Sequence, residues 1–378
     1  MMPSKIESLD GVRGFAAIVV VFGHTAGALG SSAVTPGLVA AKSGVYLFFV
    51  LSAFLLTRQF LTADLTARTT PRFLSEYMFR RCARILPLYA IAIFAHYAVG
   101  FVIPGKSCVI HDAAAVFKSL LMNKGYGHFW TIPIEFIFYF ILPIVALVGV
   151  GASDKRRALL AYVTFVGLSV ILLDEQVDFG VAAFAYIFVS GATLALADVH
   201  FRQVIARVPS AAVSSLGLLA LVAFVAIWPT LQPYGLSYSH VENLRSLWTA
   251  CSCALIAACL WGAKWFRWIF ENRVLRFIGA VSFSVYVWHM LVYAAVDNLA
   301  NGMSAEVRHV IAWGSAIAVG WCSHRTIEMP VYRSHLLRTL WSRYAEPWIT
   351  SVQVDVNTPE QSQSIRDAGF SAATGAPR

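Results

Sequence analysis

Long apolar runs separated by short polar segments account for most of the chain. Because an α-helix rises about 1.5 Å per residue, roughly 20 apolar residues are needed to cross the hydrocarbon core of a bilayer. The runs have this length, so the pattern predicts an all-α fold, a polytopic membrane helical bundle with about ten transmembrane helices. The predicted spans cover residues 12–30, 44–61, 83–103, 129–150, 157–173, 180–198, 211–230, 245–262, 277–297 and 309–327.

Charged residues are scarce, and their distribution indicates an orientation. Hydrophobic residues make up 58% of the 378 residues, charged residues make up 13%, and the mean hydropathy is +0.67. With the N-terminus in the cytoplasm, nearly all Lys and Arg residues fall on the cytoplasmic side, which supports ten crossings with both termini cytoplasmic. This bias also accounts for the net charge of +9, so we expect no nucleic-acid partner. The exceptions are Lys42, Lys106, Lys118, Lys124, Arg245 and Arg308.

Composition divides the chain into two regions. Residues 1–343 are predicted to form the transmembrane domain, and residues 344–378, rich in Ser, Thr, Gln, Gly and Pro, a flexible cytoplasmic tail. The first apolar run lacks a small-residue cleavage site, so we expect it to be retained as the first transmembrane helix. The six cysteines mostly lie within apolar runs and form no paired CxxC set, so no metal site is predicted.

The first span carries an ionisable residue deep into the membrane. The stretch LDGVRGFAAIVVVFGHT, residues 9–25, has Asp10 and Arg13 at its polar end and His24 in its apolar part. At about 3.6 residues per turn, Arg13 and His24 lie within roughly 20° of one helix face and about 16 Å apart along the axis. Buried ionisable groups usually face a bundle interior or a cavity, which makes His24 a candidate functional residue. The alternative is a packing histidine that is hydrogen-bonded to a neighbouring helix.

Three other spans bring polar residues to the same depth. Ser52 and Glu135 enter from the outer side and His289 rises from the inner side, so we expect all three in one layer with His24. A buried carboxylate such as Glu135 must be neutral, paired or bound to a polar group. Ser52 has a structural alternative, a hydrogen bond to its own helix backbone. Further candidates beside these residues are Trp130, Ser282 and Tyr286.

Three arginines, Arg80, Arg81 and Arg84, precede the third apolar run. Arg80 and Arg84 are one helical turn apart and share a face, which suits them to hold a phosphate or diphosphate. Anchoring to lipid headgroups is the alternative. Glu328, at the end of the tenth span, is a further candidate. It lies close in sequence to Arg325, so a purely structural ion pair is the alternative.

Taken in order, these segments resemble acyltransferase family 3, the polytopic acyltransferases that modify bacterial surface glycans. The matching motifs extend over most of the chain and keep the family's order. One departure is Ser52-Ala53-Phe54, where the family usually has Ser-Gly-Phe. The motifs are LDGVRGFAAIVVVFGH at 9–24, GVYLFFVLSAF at 44–54, RRCARILPLY at 80–89, HFWTIPIEFIFYFILP at 128–143, FIGAVSFSVYVWH at 277–289 and TIEMP at 326–330.

The resemblance implies a membrane-bound O-acyltransferase of the bacterial inner membrane. Such enzymes move an acyl group, usually acetyl, from cytoplasmic acyl-CoA to a hydroxyl of a cell-surface or exopolysaccharide glycan or a lipid-linked sugar. The family's arginine–histidine motif falls on Arg13 and His24, and its glutamate on Glu135. We therefore expect the phosphates of acyl-CoA at the arginine motif, Arg80, Arg81 and Arg84, with Arg13 as a further contact. Transfer is expected to be completed within the membrane domain, as in members without an esterase-like C-terminal domain.

The resemblance leaves the mechanism open. His24 is expected to act as general base toward the acceptor hydroxyl, with Glu135 fixing its tautomer or orienting the sugar. A relay through an acyl-enzyme on Ser52 or His289 also fits, but no serine has an activating base adjacent in sequence. Two other functions are compatible with the same residues: a transporter or lipid-binding protein with a buried proton relay, and an acyltransferase for a cytoplasmic small-molecule sugar.

Overall fold

The computed structural model describes residues 6–28, 35–63, 70–102, 109–152, 154–173, 180–231, 244–344 and 347. Regular structure within these ranges is helical, without a strand, which confirms the predicted all-α fold. Single turns of 3₁₀-helix at Gly127–Trp130 and Gly180–Phe184 and a π-helical turn at His324–Glu328 join longer elements. The α-helices are α1 Glu7–Ala28, α2 Thr35–Thr62, α3 Pro71–Val102, α4 Ala113–Leu120, α5 Thr131–Gly151, α6 Lys155–Leu173, α7 Ala185–His200, α8 Arg202–Ile205, α9 Ser210–Leu231, α10 Arg245–Trp261, α11 Lys264–Glu271, α12 Arg273–Leu299, α13 Ala305–Ser323, α14 Met329–Tyr332 and α15 His335–Tyr344.

Each of the ten predicted spans overlaps one of these helices. Five helical stretches among the described residues are long and apolar enough to cross a membrane, and α10 with α11, bent by 108°, makes a possible sixth. The chain is therefore a multi-pass membrane protein, while the count of ten and the cytoplasmic position of both termini stay predictions. The five stretches are Ala41–Thr62, Pro71–Val102, Gly127–Gly149, Ala182–His200 and Arg273–Leu299.

The chain divides into two compact units. The first comprises residues 1–63 and 88–328 and contains most of the helices; the second comprises residues 64–87 and 329–378. The described part of the second unit consists of the first turns of α3 together with α14 and α15. The predicted tail, 344–378, falls outside the described residues apart from Tyr344 and Pro347.

Helices α1 and α12 meet through glycines. A Cβ atom on Gly14 would lie 2.0 Å from the carbonyl oxygen of Leu275, and one on Gly279 would lie 2.0 Å from the carbonyl oxygen of Asp10. Real Cβ atoms do not approach backbone oxygens so closely, so only glycine permits the two backbones to touch here. Small residues of this kind are typical of helix contacts in membrane proteins. The contact determines how α1 and α12 present their other side chains to each other.

We expect Gly14→Ala to separate α1 from α12 and to destabilise the first unit. The added methyl group would overlap the Leu275 carbonyl, and overpacking of this kind costs about 1–3 kcal/mol. The measurement is the midpoint of thermal aggregation of the detergent-solubilised protein, which should fall.

Gly167→Ala, in α6, is the matched control because no atom lies within 4 Å of its added Cβ. Alanine favours a helix by about 1 kcal/mol over glycine, so this midpoint should not fall. An unchanged midpoint for Gly14→Ala would contradict the backbone contact.

A buried ion pair joins three other helices of the first unit. Arg58 of α2 donates to Asp198 of α7 at 3.1 Å, and the indole of Trp261 in α10 donates to the second carboxylate oxygen at 3.1 Å. Asp198 is only 5% exposed. Because each carboxylate oxygen has a donor, the charge is compensated and ties α2, α7 and α10 together.

Candidate functional site

Two histidines from α1 and α12 face each other inside the first unit. Nε2 of His289 lies 3.3 Å from Nδ1 of His24, and the ring centroids are 5.0 Å apart. His289 is fully buried, whereas His24 is partly buried. The structure thus brings together two of the residues that the sequence predicted at one depth.

The hydrogen bonds of this pair define which ring nitrogens carry protons. Nδ1 of His289 lies 2.6 Å from the carbonyl oxygen of Tyr286, which can only accept, so this nitrogen is the donor. In neutral His289, Nε2 is then an acceptor, and the proton between the rings belongs to Nδ1 of His24. The Val20 carbonyl, 3.0 Å from the same Nδ1, requires the same tautomer. Nε2 of neutral His24 is therefore the unprotonated nitrogen, as a general base requires.

Two further buried histidines, His128 and His96, extend the pair into a row. The ring of His128 lies 4.9 Å from that of His289, and the ring of His96 lies 5.4 Å from that of His128. Both rings interact with the Val287 carbonyl, yet none of their four nitrogens makes a well-formed hydrogen bond within the described ranges. His128 is itself buried, beside His289.

Glu135 forms a second polar group in the first unit. The hydroxyls of Ser52 and Tyr139 both donate to its Oε1 atom, each at 2.6 Å. Two of the predicted residues, Ser52 and Glu135, are therefore in direct contact across α2 and α5. His289 and Val20 fix the tautomer of His24. One of the two roles predicted for Glu135, fixing this tautomer, is therefore filled by other residues.

The ring of Tyr286 lies 5.6 Å from that of His128 and 5.7 Å from that of His289. Its hydroxyl donates to the carbonyl oxygen of His128, and the hydroxyl of Thr131 lies 2.7 Å away. Because a tyrosine hydroxyl has one proton, Thr131 must be the donor in the second bond. The carboxylate of Glu135 also interacts electrostatically with this hydroxyl. The predicted candidate Tyr286 thus belongs to the same polar region as His289 and Glu135.

The remaining candidates of α12 and its surroundings are buried or in contact with other side chains. Trp130 packs in an aromatic cluster, with its ring 5.4 Å from Phe184 and 6.2 Å from Phe49. Ser282 is buried at 2% exposure. Glu328, also buried, accepts from Ser284 at 2.6 Å and lies 3.0 Å from His324.

The cationic candidates lie in the N-terminal halves of α1 and α3. Arg13 forms an ion pair with Asp10 at 3.8 Å, one turn earlier in α1. In the second unit, Arg80 pairs with Glu76 at 2.9 Å, and Arg81 lies over the ring of Tyr77 at 5.8 Å. Arg84, also in the second unit, is partly buried. Within the described part of the chain, no group of three or more His, Cys, Asp or Glu side chains is arranged to hold a metal ion.

Tyr139, Thr131, His96 and Glu76 belong to these clusters but were not selected from the sequence. Tyr139 and Glu76 each lie four residues from a selected residue on the same helix, where side chains are neighbours. His96 is an ionisable residue within an apolar run, the same signal that singled out His24. Thr131 has no distinguishing sequence signal.

Comparisons with known proteins identify the family of this chain. A family described as "Acyltransferase domain" matches residues 6–322. Peptidoglycan O-acetyltransferase OatA of Listeria monocytogenes is 23% identical over 368 residues, which cover 87% of this chain and 56% of that protein. "Putative peptidoglycan O-acetyltransferase YrhL" of Bacillus subtilis is 24% identical, with 92% of this chain and 58% of that protein covered. A Staphylococcus aureus protein named "Putative O-acetyltransferase SACOL0978" is 25% identical, with coverages of 89% and 59%.

The chain thus spans 56–59% of the length of these three relatives. No solved structure matches it.

Proposed function

Because the chain belongs to the acyltransferase family whose domain matches residues 6–322, we propose that it is a membrane-bound O-acyltransferase. Its donor is acyl-CoA, with acetyl as the acyl group, and its acceptor is a hydroxyl of a cell-envelope glycan. The observation that carries the proposal is the His24–His289 pair, which leaves Nε2 of His24 unprotonated in a site that also holds the Glu135 carboxylate. A paired imidazole with an unprotonated nitrogen suits proton removal from a hydroxyl.

In the proposed reaction, Nε2 of His24 accepts the proton of the acceptor hydroxyl. The hydroxyl oxygen attacks the thioester carbonyl, a C–O bond forms, the C–S bond breaks, and the proton passes from His24 to the CoA sulfur. General base assistance of this kind contributes about 10²- to 10⁴-fold to a rate. His289 is a positioning residue, since its acceptor nitrogen holds the His24 proton on Nδ1.

The donor's phosphates are assigned by charge to the predicted arginines Arg13, Arg80, Arg81 and Arg84. Guanidinium groups suit phosphate oxygens because they present several fixed N–H donors. No metal ion takes part in this assignment.

A relay through an acyl-enzyme is the second mechanism, and one contact favours it. Ser52 donates to Glu135 at 2.6 Å, so the serine does have a potential activating base, contributed by a different helix. In this mechanism Glu135 accepts the Ser52 proton, the Ser52 oxygen attacks the thioester carbonyl, and the C–S bond breaks as the proton passes to the CoA sulfur. The glycan hydroxyl then takes the acyl group, and its proton returns to the Ser52 oxygen. His24 then acts on the second step.

The acceptor and the membrane orientation complete the proposal. Two relatives carry peptidoglycan in their names, so peptidoglycan and lipid-linked exopolysaccharide are the first acceptors to compare. Ten transmembrane helices with both termini cytoplasmic, in the bacterial inner membrane, fit the distribution of Lys and Arg residues and a cytoplasmic donor.

The proposal predicts CoA release from acetyl-CoA by the purified protein, increased by an acceptor glycan. With radiolabelled acetyl-CoA and no acceptor, direct transfer leaves the protein unlabelled, whereas the relay labels wild type but not Ser52→Ala. Label retained by Ser52→Ala would rule out Ser52 as the carrier.

The result separates the proposal from the non-enzymatic alternatives. A transporter or lipid-binding protein releases no CoA with any acceptor. An enzyme for a cytoplasmic sugar releases CoA with soluble amino sugars and not with envelope glycans.

A further inference from the structure

A cavity of about 510 Å³ lies within the second unit, between the first turns of α3 and helix α15. This volume is in the range of small-molecule sites. Its lining includes Arg72, Arg80, Glu76, His335, Arg338 and Trp341. The cavity is therefore built by two segments that are far apart in sequence.

Positive charge exceeds negative charge around the cavity. Three guanidinium groups and an imidazole line it, against one carboxylate, Glu76. Oε1 of Glu76 accepts from Nε of Arg80 at 2.9 Å and from Arg338 at 3.5 Å. A guanidinium has five N–H donors, so one bond each to Glu76 leaves Arg80 and Arg338 with donors for another anion. Glu76 thereby holds two cations close together.

The wall formed by α15 is fixed by specific contacts. The indole of Trp341 donates to the hydroxyl of Ser75 at 2.6 Å, and its ring lies 5.5 Å from that of Phe79. The guanidinium of Arg338 lies 5.9 Å from the centre of the Phe79 ring. These contacts hold Arg338 on the α3 side of α15, so the cations are already gathered before a ligand binds.

This cavity shares only Arg80 with the arginine motif of the family resemblance. Arg81 and Arg84 do not line it. Arg338 and Trp341 lie beyond residue 322, where the family match ends. The site is thus assembled partly from a helix outside the matched domain.

We infer that this cavity binds phosphoryl groups, with Arg72, Arg80 and Arg338 as the ligands of the phosphate oxygens. Two sources share this chemistry: the 3′-phosphate and diphosphate of CoA, and the headgroups of anionic phospholipids. The first source rests on the proposed acyltransferase function, whereas the second does not. Three arginines around one carboxylate leave a net positive charge. The cavity therefore suits a multiply charged phosphate better than a ligand with a single carboxylate.

Binding can be measured on the full-length protein in detergent and in nanodiscs without turnover. Adenosine 3′,5′-bisphosphate represents the CoA phosphates, and nanodiscs with or without phosphatidylglycerol represent the headgroups. Arg338→Ala should weaken the Kd of the phosphate source about tenfold. Glu76→Gln should tighten it several-fold, because a competing negative charge is removed while the side chain keeps its shape.

Arg343→Ala is the matched control, since it removes the same charge from the same helix outside the cavity lining. If Arg338→Ala raises and Glu76→Gln lowers the Kd for adenosine 3′,5′-bisphosphate, the phosphates of CoA are the ligand. If only the Kd for phosphatidylglycerol changes in this way, the lipid headgroup is the ligand. A misfolded variant cannot bind more tightly, so the Glu76→Gln gain is independent of folding defects. Kd values equal to wild type in both variants for both probes would overturn the cavity, even where CoA release shows that the enzyme is active.

Discussion

Replacement of His24 by glutamine is expected to lower kcat for acetyl transfer about 10²- to 10⁴-fold while the protein remains inserted and folded. Glutamine is polar and of similar length, but it cannot take up a proton near neutral pH. The loss therefore equals the contribution of general base assistance. The measurement is the rate of CoA release with saturating acetyl-CoA and acceptor, so that the loss is assigned to kcat and not to KM.

His309→Gln is the control for this replacement. His309 is also buried, and its Nδ1 also lies close to the carbonyl oxygen four residues earlier in its own helix, at 2.5 Å. It is absent from the His24–His289 row, so its replacement should leave kcat within about twofold of wild type. Full activity in His24→Gln would refute the general base.

The His24–His289 pair also predicts different losses of kcat for two replacements of His289. His289→Gln keeps an acceptor near Nδ1 of His24, whereas His289→Phe keeps only the ring shape. Higher kcat in the glutamine variant indicates positioning of the His24 proton; equal loss in both would indicate packing alone.

The second large effect is expected at Glu135. Glu135→Gln keeps an oxygen that can accept from Ser52 and Tyr139, so the hydrogen-bonded arrangement can persist while the negative charge is lost. Hydrogen bonds to charged groups contribute about 1.5–3 kcal/mol, so a carboxylate that holds the acceptor or activates Ser52 is worth about 10- to 100-fold in rate. CoA release under acceptor saturation measures this loss.

Tyr139→Phe separates the effect of the Glu135 charge from the effect of its hydrogen bonds. It removes one donor to the same Oε1 atom but retains the carboxylate, so its loss should stay below about tenfold. A Glu135→Gln variant that matches wild type, or a Tyr139→Phe variant that loses as much as Glu135→Gln, would show that the charge has no role.

The sequence predicted which helices carry the site residues, but not how these residues pair. The apolar runs located the helices, and the distance of His24, His289, Ser52 and Glu135 from the helix ends predicted one layer for all four. Contacts of His24 with His289 and of Ser52 with Glu135 then follow only if the helices are rotated correctly about their axes. Rotation is decided by packing between helices, such as the glycine contact of α1 and α12, which a single apolar pattern does not contain.

The second unit also contains contacts that the sequence pattern did not predict. The arginines of α3 were recognised by their sequence spacing, but the cavity beside Arg80 depends on α15, whose residues follow the last apolar run. Short amphipathic helices outside the membrane spans give a weak pattern, and their docking depends on individual contacts such as Trp341 with Ser75. Tertiary contacts of this kind are not encoded in local periodicity.

The glycine contact also sets the relative height of the two histidines along their helices. Gly14 and Gly279 touch each other, their Cβ positions facing the partner backbone, and the sequence intervals from Gly14 to His24 and from Gly279 to His289 are identical. Two parallel helices that start from a common point and advance by equal intervals bring these histidines level. Insertion of one residue in either interval would turn its histidine by about 100° and shift it by about 1.5 Å. The register of α1 and α12 is therefore fixed jointly, and only paired changes of length preserve the contact.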